Sequence, residues 1–221
     1  MSLKIYDWPT GPFPARVRIA LAEKGLLEQV QFERINLWKG EHKTAEFKAK
    51  LSYSGTVPVL ELEDGTIIAE VNAIITFLDN LDDDQSLTGR TPAQKGIILN
   101  MTRRAELEVQ EVISTYFHNA TPGLGPDVEI YQNKEWGLYQ LAKGLRGLRH
   151  FDELLQKQPY VAGDEFSMAD IALVGGMLFA AMIDVEVPSD LTALFAWYKR
   201  VQERPSVKQQ IDRGFLDGSK L

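Results

Sequence analysis

The chain has 221 residues, 44% hydrophobic and 25% charged, enough to bury a sizeable core in one large domain or two small ones. Its formal net charge of −7 argues against a general nucleic-acid or anionic-membrane surface, and it disfavours anionic ligands unless a local basic cluster overrides the bulk field. With no cysteine there are no disulfides, thiolate metal sites, Cys-x-x-Cys chemistry or cysteine nucleophile. The three histidines, His42, His118 and His150, lie at no metal-ligand spacing from one another, so no metal is expected. No stretch approaches the roughly 20 apolar residues of a membrane span. "MSLKIYDWP" lacks the apolar run of a signal peptide, so the expected location is cytoplasmic.

The first eighty residues alternate between strand and helix patterns. "LKIYDW" reads as a short strand, and "PARVRIALAEKG" from Pro14 reads as a helix closed by Gly25. "VQFERINL" alternates apolar and polar residues and predicts a second strand. "KTAEFKAKL" predicts a short helix. "VPVLEL" and "TIIAE", joined at Glu63-Asp64-Gly65, predict a hairpin, and "NAIITFLDNL" predicts a closing helix. The order mixes parallel and antiparallel strands.

"DDDQSLTGRTP" then reads as a linker, after which strand signals disappear. Long helical patterns run over Pro92–Ala120 and Asp127–Lys157. "SMADIALVGGMLFAAMI" is almost wholly apolar and predicts a central helix, and "SDLTALFAWYKRVQERP" a further one ended by Pro205. Ser167 and Asp170 have the spacing of a capping box, a structural device.

Pro58 has no N–H, so within "TVPVL" it must occupy a strand start, an edge or a cis turn. Each arrangement leaves neighbouring backbone groups free, close to the helix start at Glu70-Val71-Asn72. Free backbone groups beside a helix N-terminus suit a small peptide-like ligand.

Taken together, "TVPVLELEDGTIIAE" followed by "GDEFSMADIAL" resembles the cytosolic glutathione transferase superfamily, over almost the entire chain. The resemblance implies an α+β protein. A thioredoxin-like glutathione-binding domain would span residues 1–81, a linker 82–90, and an all-α helical-bundle domain with a hydrophobic-substrate site 91–221. It implies a cis Val57–Pro58 bond that presents the Val57 backbone to the cysteinyl part of glutathione, with Thr56 beside it. Lys39, His42 and Lys43 in "KGEHKTAEF" correspond to a basic segment that meets the glycyl carboxylate. Glu70 would face the ammonium of the γ-glutamyl group. Relatives carry Glu-Ser where this chain has Glu70-Val71, so one hydroxyl contact is lost, with Asn72 as its replacement.

The activating group is the main departure. Relatives with a serine or cysteine before the first helix align here with Gly11 or Pro12, and those with a strand-end tyrosine align imperfectly with Tyr6. A free thiol, with pKa about 8.5, needs a donor or dipole to ionise at neutral pH. The candidates are Thr10, Tyr6, the N-terminus of the first helix, and His118 acting through an ordered water. A bacterial and fungal subgroup lacking the usual side chain is similar to this chain in "LWKGEHK" and in the segment that bears His118. Trp8, Phe13, Trp38, Tyr116, Phe117 and Leu124 are expected to wall the hydrophobic site. Arg103 and Arg104 are expected at a homodimer interface. The implied activity is conjugation of the glutathione thiolate to small hydrophobic electrophiles in detoxification, with glutathione as cosubstrate and no metal. The alternatives are a glutathione-dependent peroxidase or disulfide reductase, and a non-catalytic glutathione-binding module.

Overall fold

Leu3–Asp7 forms β1, the buried second strand of a four-stranded sheet, in a computed structural model that describes residues 2–81 and 86–213. The sheet order is β2-β1-β3-β4, with β2 at Val30–Arg34, β3 at Val59–Leu62 and β4 at Ile67–Ala69. β2 runs parallel to β1, with Ile5 opposite Phe32. β3 is antiparallel to both β1 and β4. The predicted hairpin turn closes at Gly65, whose φ of 84° suits glycine, while Asp64 Oδ1 accepts from the Thr66 N–H at 2.9 Å.

Helix α1 covers Pro12–Glu23, two residues earlier than the pattern predicts. Pro12 and Pro14 both fit in its first turn, where no backbone N–H is required. Its Arg-Val-Arg start turns two guanidinium groups inward. Arg18 donates bidentately to Asp7 at 2.6 and 3.0 Å, locking α1 to the end of β1. The short helix α2, Ala45–Lys50, is capped by the Thr44 side chain, and α3 covers Val71–Asp79. This half has the thioredoxin-like arrangement that the resemblance implies.

The second half is wholly helical among the described residues: α4 (Pro92–Ala105), α5 (Glu111–Ala120), α6 (Lys134–Leu155), α7 (Met168–Met182), α8 (Thr192–Gln202) and α9 (Pro205–Asp212). A π-helical turn at Glu106–Gln110 joins α4 to α5, so the long predicted helix is nearly continuous. α6 starts at Lys134 rather than Asp127, because residues 121–133 form a loop pinned back onto α5. Pro205 ends α8 as predicted, and it also opens α9 from the first helical position. In the predicted linker, residues 82–85 lie outside the described residues.

The apolar helix α7 is buried from Met168 to Ala180 and packs against α1, α4 and α5. One apolar core runs through both halves, from Ile5 and Ile19 to Leu173 and Val201. Burying each such side chain contributes about 1.5–3 kcal/mol, so the sheet half and the helical half are held together. The capping box is present: Asp170 accepts from the Ser167 N–H at 3.1 Å. Of the two histidines off the basic segment, His150 is half-buried, its ring edge against Phe151.

Candidate active site

Two cavities adjoin, one within the sheet half and one between the two halves. The smaller, about 190 Å³, is lined by Ser54, Thr56, Val57, Pro58, Glu70 and Val71, and by Phe13. The larger, about 360 Å³, is lined mainly by apolar side chains and also holds Thr10, Ser114 and His118. Phe13 and Val57 belong to both walls.

The smaller cavity sets a few polar groups, Ser54, Thr56 and Glu70, into a wall otherwise made by Phe13, Val57, Pro58 and Val71. The Val57–Pro58 bond is cis, as expected. Neither the N–H nor the C=O of Val57 has a hydrogen-bond partner among the described residues. Ser52, Ser54 and Thr56 form a triangle of hydroxyls with separations of 2.8–3.2 Å. Opposite them, Glu70 holds φ 73° and ψ 126°, a conformation that is strained for any residue except glycine. It presents its carboxylate at the start of α3. No side chain caps α3, so the N–H groups of its first turn, beginning at Val71, are open to an anion.

The basic segment borders this cavity unevenly. Lys43 donates to the Gly55 carbonyl at 2.9 Å, next to the hydroxyl triangle. Burial and neighbouring Lys48 lower its pKa. His42 is buried, and its Nδ1 has no partner. Burial, followed by the charges of Lys43, His118 and Lys48, pulls its pKa down to about 4. It is therefore neutral at pH 7 and offers N–H donation rather than charge. Lys39 is exposed, and none of Lys39, His42 and Lys43 lines either cavity.

Around the larger cavity the β1–α1 loop contributes Trp8, Thr10 and Gly11, and the first turn of α1 contributes Pro12, Phe13 and Pro14. Helix α5 contributes Ser114, Phe117 and His118, and the end of α7 supplies Phe179, Met182 and Ile183. Phe179 meets Phe13 edge-on at 6.3 Å and Phe117 at 5.6 Å. Trp38 and Leu124 complete this wall as expected. Tyr116 does not line it. His118 Nδ1 lies 2.6 Å from Glu129 Oε1.

Two residues expected here face elsewhere. Tyr6 lines neither cavity: its hydroxyl donates to Glu61 Oε2 at 2.5 Å, and it packs with Ile35, Phe47 and Val59 on the other face of β1. Asn72 also turns away. Its Oδ1 accepts from Arg16 at 2.8 Å, and its Nδ2 donates to Glu106 at 3.0 Å.

A model of the glutathione S-transferase N-terminal domain matches residues 10–81, and a model of the C-terminal domain matches residues 105–205. The chain belongs to the glutathione S-transferase family. Glutathione S-transferase 2 of Saccharomyces cerevisiae is 62% identical over 208 residues, covering 94% of this chain and 89% of that protein. The crystal structure of Gtt2 from Saccharomyces cerevisiae matches with a TM-score of 0.92 at 62% identity, over 94% of this chain and 99% of the other. A glutathione S-transferase domain-containing protein from Marinobacter aquaeolei VT8 matches with a TM-score of 0.90 at 45% identity, over 92% and 99%.

Sequence reasoning missed a buried polar network that ties together the helices carrying this transferase's site residues. Arg16, on α1, is fully buried. It donates from one terminal nitrogen to Glu106 Oε1 and to Gln110 Oε1, each at 2.8 Å. Arg103 also donates to Glu106, at 2.7 Å. Burial pushes the Glu106 carboxyl up, but Arg16, Arg103 and Asn72 outweigh it and hold the pKa below the usual range. The network joins α1, α3 and the π-helical turn. Among the described residues, no group of three or more His, Cys, Asp or Glu side chains is placed to hold a metal ion. No helix among them is long and apolar enough to cross a membrane.

Proposed function

We propose that this transferase binds glutathione across both cavities and transfers its sulfur to small hydrophobic electrophiles. The observation that carries the reading is the shared wall: a cavity that bears Ser54, Thr56 and Glu70 beside the unpaired Val57 backbone meets a larger apolar cavity at Phe13 and Val57. A tripeptide with polar ends and a central thiol fits this division. The γ-glutamyl carboxylate would meet the α3 N-terminus at Val71, with Thr56 beside it, and the ammonium would meet Glu70. The cysteinyl backbone would pair with the free N–H and C=O of Val57, next to Pro58. The glycyl carboxylate would take its charge from Lys43 and an N–H from His42, and Lys39 would act only from the rim.

The sulfur would then point into the larger cavity. There His118, through one water, would accept the thiol proton, with Ser114 one helical turn away and Thr10 facing from the β1–α1 loop. The thiolate would form a bond to the electrophilic carbon, and the leaving group would depart with its bonding pair. The apolar end of α7 and the Trp8–Trp38 side would hold the electrophile. A cytoplasmic homodimer, with Arg103 and Arg104 near its interface, and domains divided at 1–81 and 91–221 belong to the same proposal.

Calorimetry with glutathione, alongside an assay with a chlorodinitrobenzene as electrophile, tests this reading. Saturable binding below millimolar concentration with enzymatic conjugation is expected. Absence of binding at millimolar glutathione would remove the proposal.

A further inference from the structure

The loop between α5 and α6, residues 121–133, does more than connect two helices. Glu129 Oε1 accepts from the Leu124 N–H at 2.9 Å and lies 2.6 Å from His118 Nδ1. Its side chain is only 9% exposed, against 39% for His118. Both residues that it holds, His118 and Leu124, line the larger cavity.

The loop is built to fix this carboxylate. The Glu129 N–H donates to the Gly125 carbonyl at 2.9 Å. Gln132 Nε2 donates to the carbonyls of His118 at 2.9 Å and Thr121 at 2.8 Å, pinning the loop to the C-terminus of α5. The Asn133 N–H donates to Asn119 Oδ1 at 3.1 Å. Gly123 has φ 56°, and a Cβ there would lie 2.3 Å from Glu129 Oε1, so glycine leaves the space that the carboxylate fills.

A carboxylate can only accept, so the short contact assigns the proton to His118 Nδ1. Nε2 then carries the lone pair, and among the described residues it has no partner. We propose that Glu129 is a positioning residue: it sets His118 in the tautomer whose Nε2 takes the glutathione proton, and it stabilises the resulting imidazolium. The inference rests on the reading above, in which His118 serves the thiol. In the step, the S–H proton passes through the intervening water to Nε2, leaving a thiolate and an imidazolium, while Glu129 stays ionised and accepts from Nδ1–H throughout. The other titratable groups that feel this pair are His42, whose protonation the His118 charge opposes, and Lys43, whose charge Glu129 favours.

The test compares wild type, Glu129→Gln, His118→Ala and the double variant. Glu129→Gln should lower kcat about tenfold, with KM for glutathione within about twofold, and raise the pH at which bound glutathione ionises, read as thiolate absorbance. In the His118→Ala background the same substitution should have no further effect. Full kcat in Glu129→Gln with unshifted thiol ionisation would overturn the inference. An equal loss in both backgrounds would also overturn it, since that pattern belongs to a loop-building role. A large His118→Ala loss beside a silent Glu129→Gln removes only the part assigned to Glu129. A silent His118→Ala removes the activation reading itself and this inference with it. Nitrogen NMR of histidine-labelled wild-type protein needs no variant. It should show His118 protonated at Nδ1 when neutral, and the Nε2–H tautomer would overturn the assignment.

Discussion

Arg16 on α1 and Glu106 in the π-helical turn meet at 2.8 Å with side chains 1% and 7% exposed. The pair bridges the sheet half and the helical half. Removing one partner leaves the other charge buried, which is far more damaging than never having had either. Glu106→Ala should therefore destabilise the protein by about 3–5 kcal/mol, measured by urea unfolding. Replacing Arg16 and Glu106 together by apolar residues of similar size should cost less than the single change. A single-variant loss under about 1 kcal/mol would show that the pair is solvated in practice.

His42 gives the acid limb of stability a specific origin. Its folded pKa, about 4, lies below the ordinary histidine value of 6.5, so the unfolded chain binds the proton more readily. The stability contributed by the buried neutral ring is complete above pH 6.5 and lost as pH falls towards 4. His42→Phe should flatten the stability profile across this window, by roughly 2–3 kcal/mol at its acid end. Chemical denaturation at a series of pH values reads the difference, and parallel profiles would contradict the assignment.

Lys43 is the charge nearest the expected glycyl end, since His42 is neutral at pH 7. Lys43→Ala should raise KM for glutathione about tenfold with kcat nearly unchanged, the pattern of binding lost equally in ground and transition states. Wild-type KM should rise with salt, and the variant's should rise less. A fall in kcat at constant KM would place Lys43 at the chemistry instead.

Asp170 is a structural hub. Its Oδ1 accepts from the Val161 N–H and from Trp197 Nε1, each at 2.9 Å. Its Oδ2 accepts from the Ser167 N–H at 3.1 Å and the Ser167 hydroxyl at 3.2 Å. Burial raises its pKa to about 6 against the pull of these donors. Asp170→Ala leaves buried donors unpaired at the start of the central helix, and should destabilise by several kcal/mol, roughly 1–3 per orphaned group. The readout is soluble yield and thermal midpoint, and a midpoint within a degree of wild type would refute it.

The sequence carried the fold because its signals are local. Strand alternation, the Glu63-Asp64-Gly65 turn, the proline in "TVPVL" and the capping box each act within a few residues. Two helix starts were misplaced where local signals compete. Asp127 and Asn133 are both cap-type residues, and the hydrogen bonds from Gln132 and Asn133 back to α5 favour the later start. The same limit governs the site. Glu70 was legible from a helix start, His118 from a helix face, and Val57 from the proline that follows it. Asn72 was not, because its partners Arg16 and Glu106 lie 56 and 34 residues away in sequence. Tyr6 illustrates a further ambiguity: β1 is buried on both faces, so alternation does not say which face meets the cavity. Glu129 had a weak local sign, the two glycines at 123 and 125 that turn the chain back on itself.

The most direct test is a crystal structure of the glutathione complex. The account expects the cysteinyl backbone within about 3 Å of the Val57 N–H and C=O. It also expects the γ-glutamyl carboxylate at the start of α3, and the sulfur in the larger cavity, one water from His118. Glutathione bound elsewhere, or a complex in which the Val57 backbone stays unpaired, would contradict it.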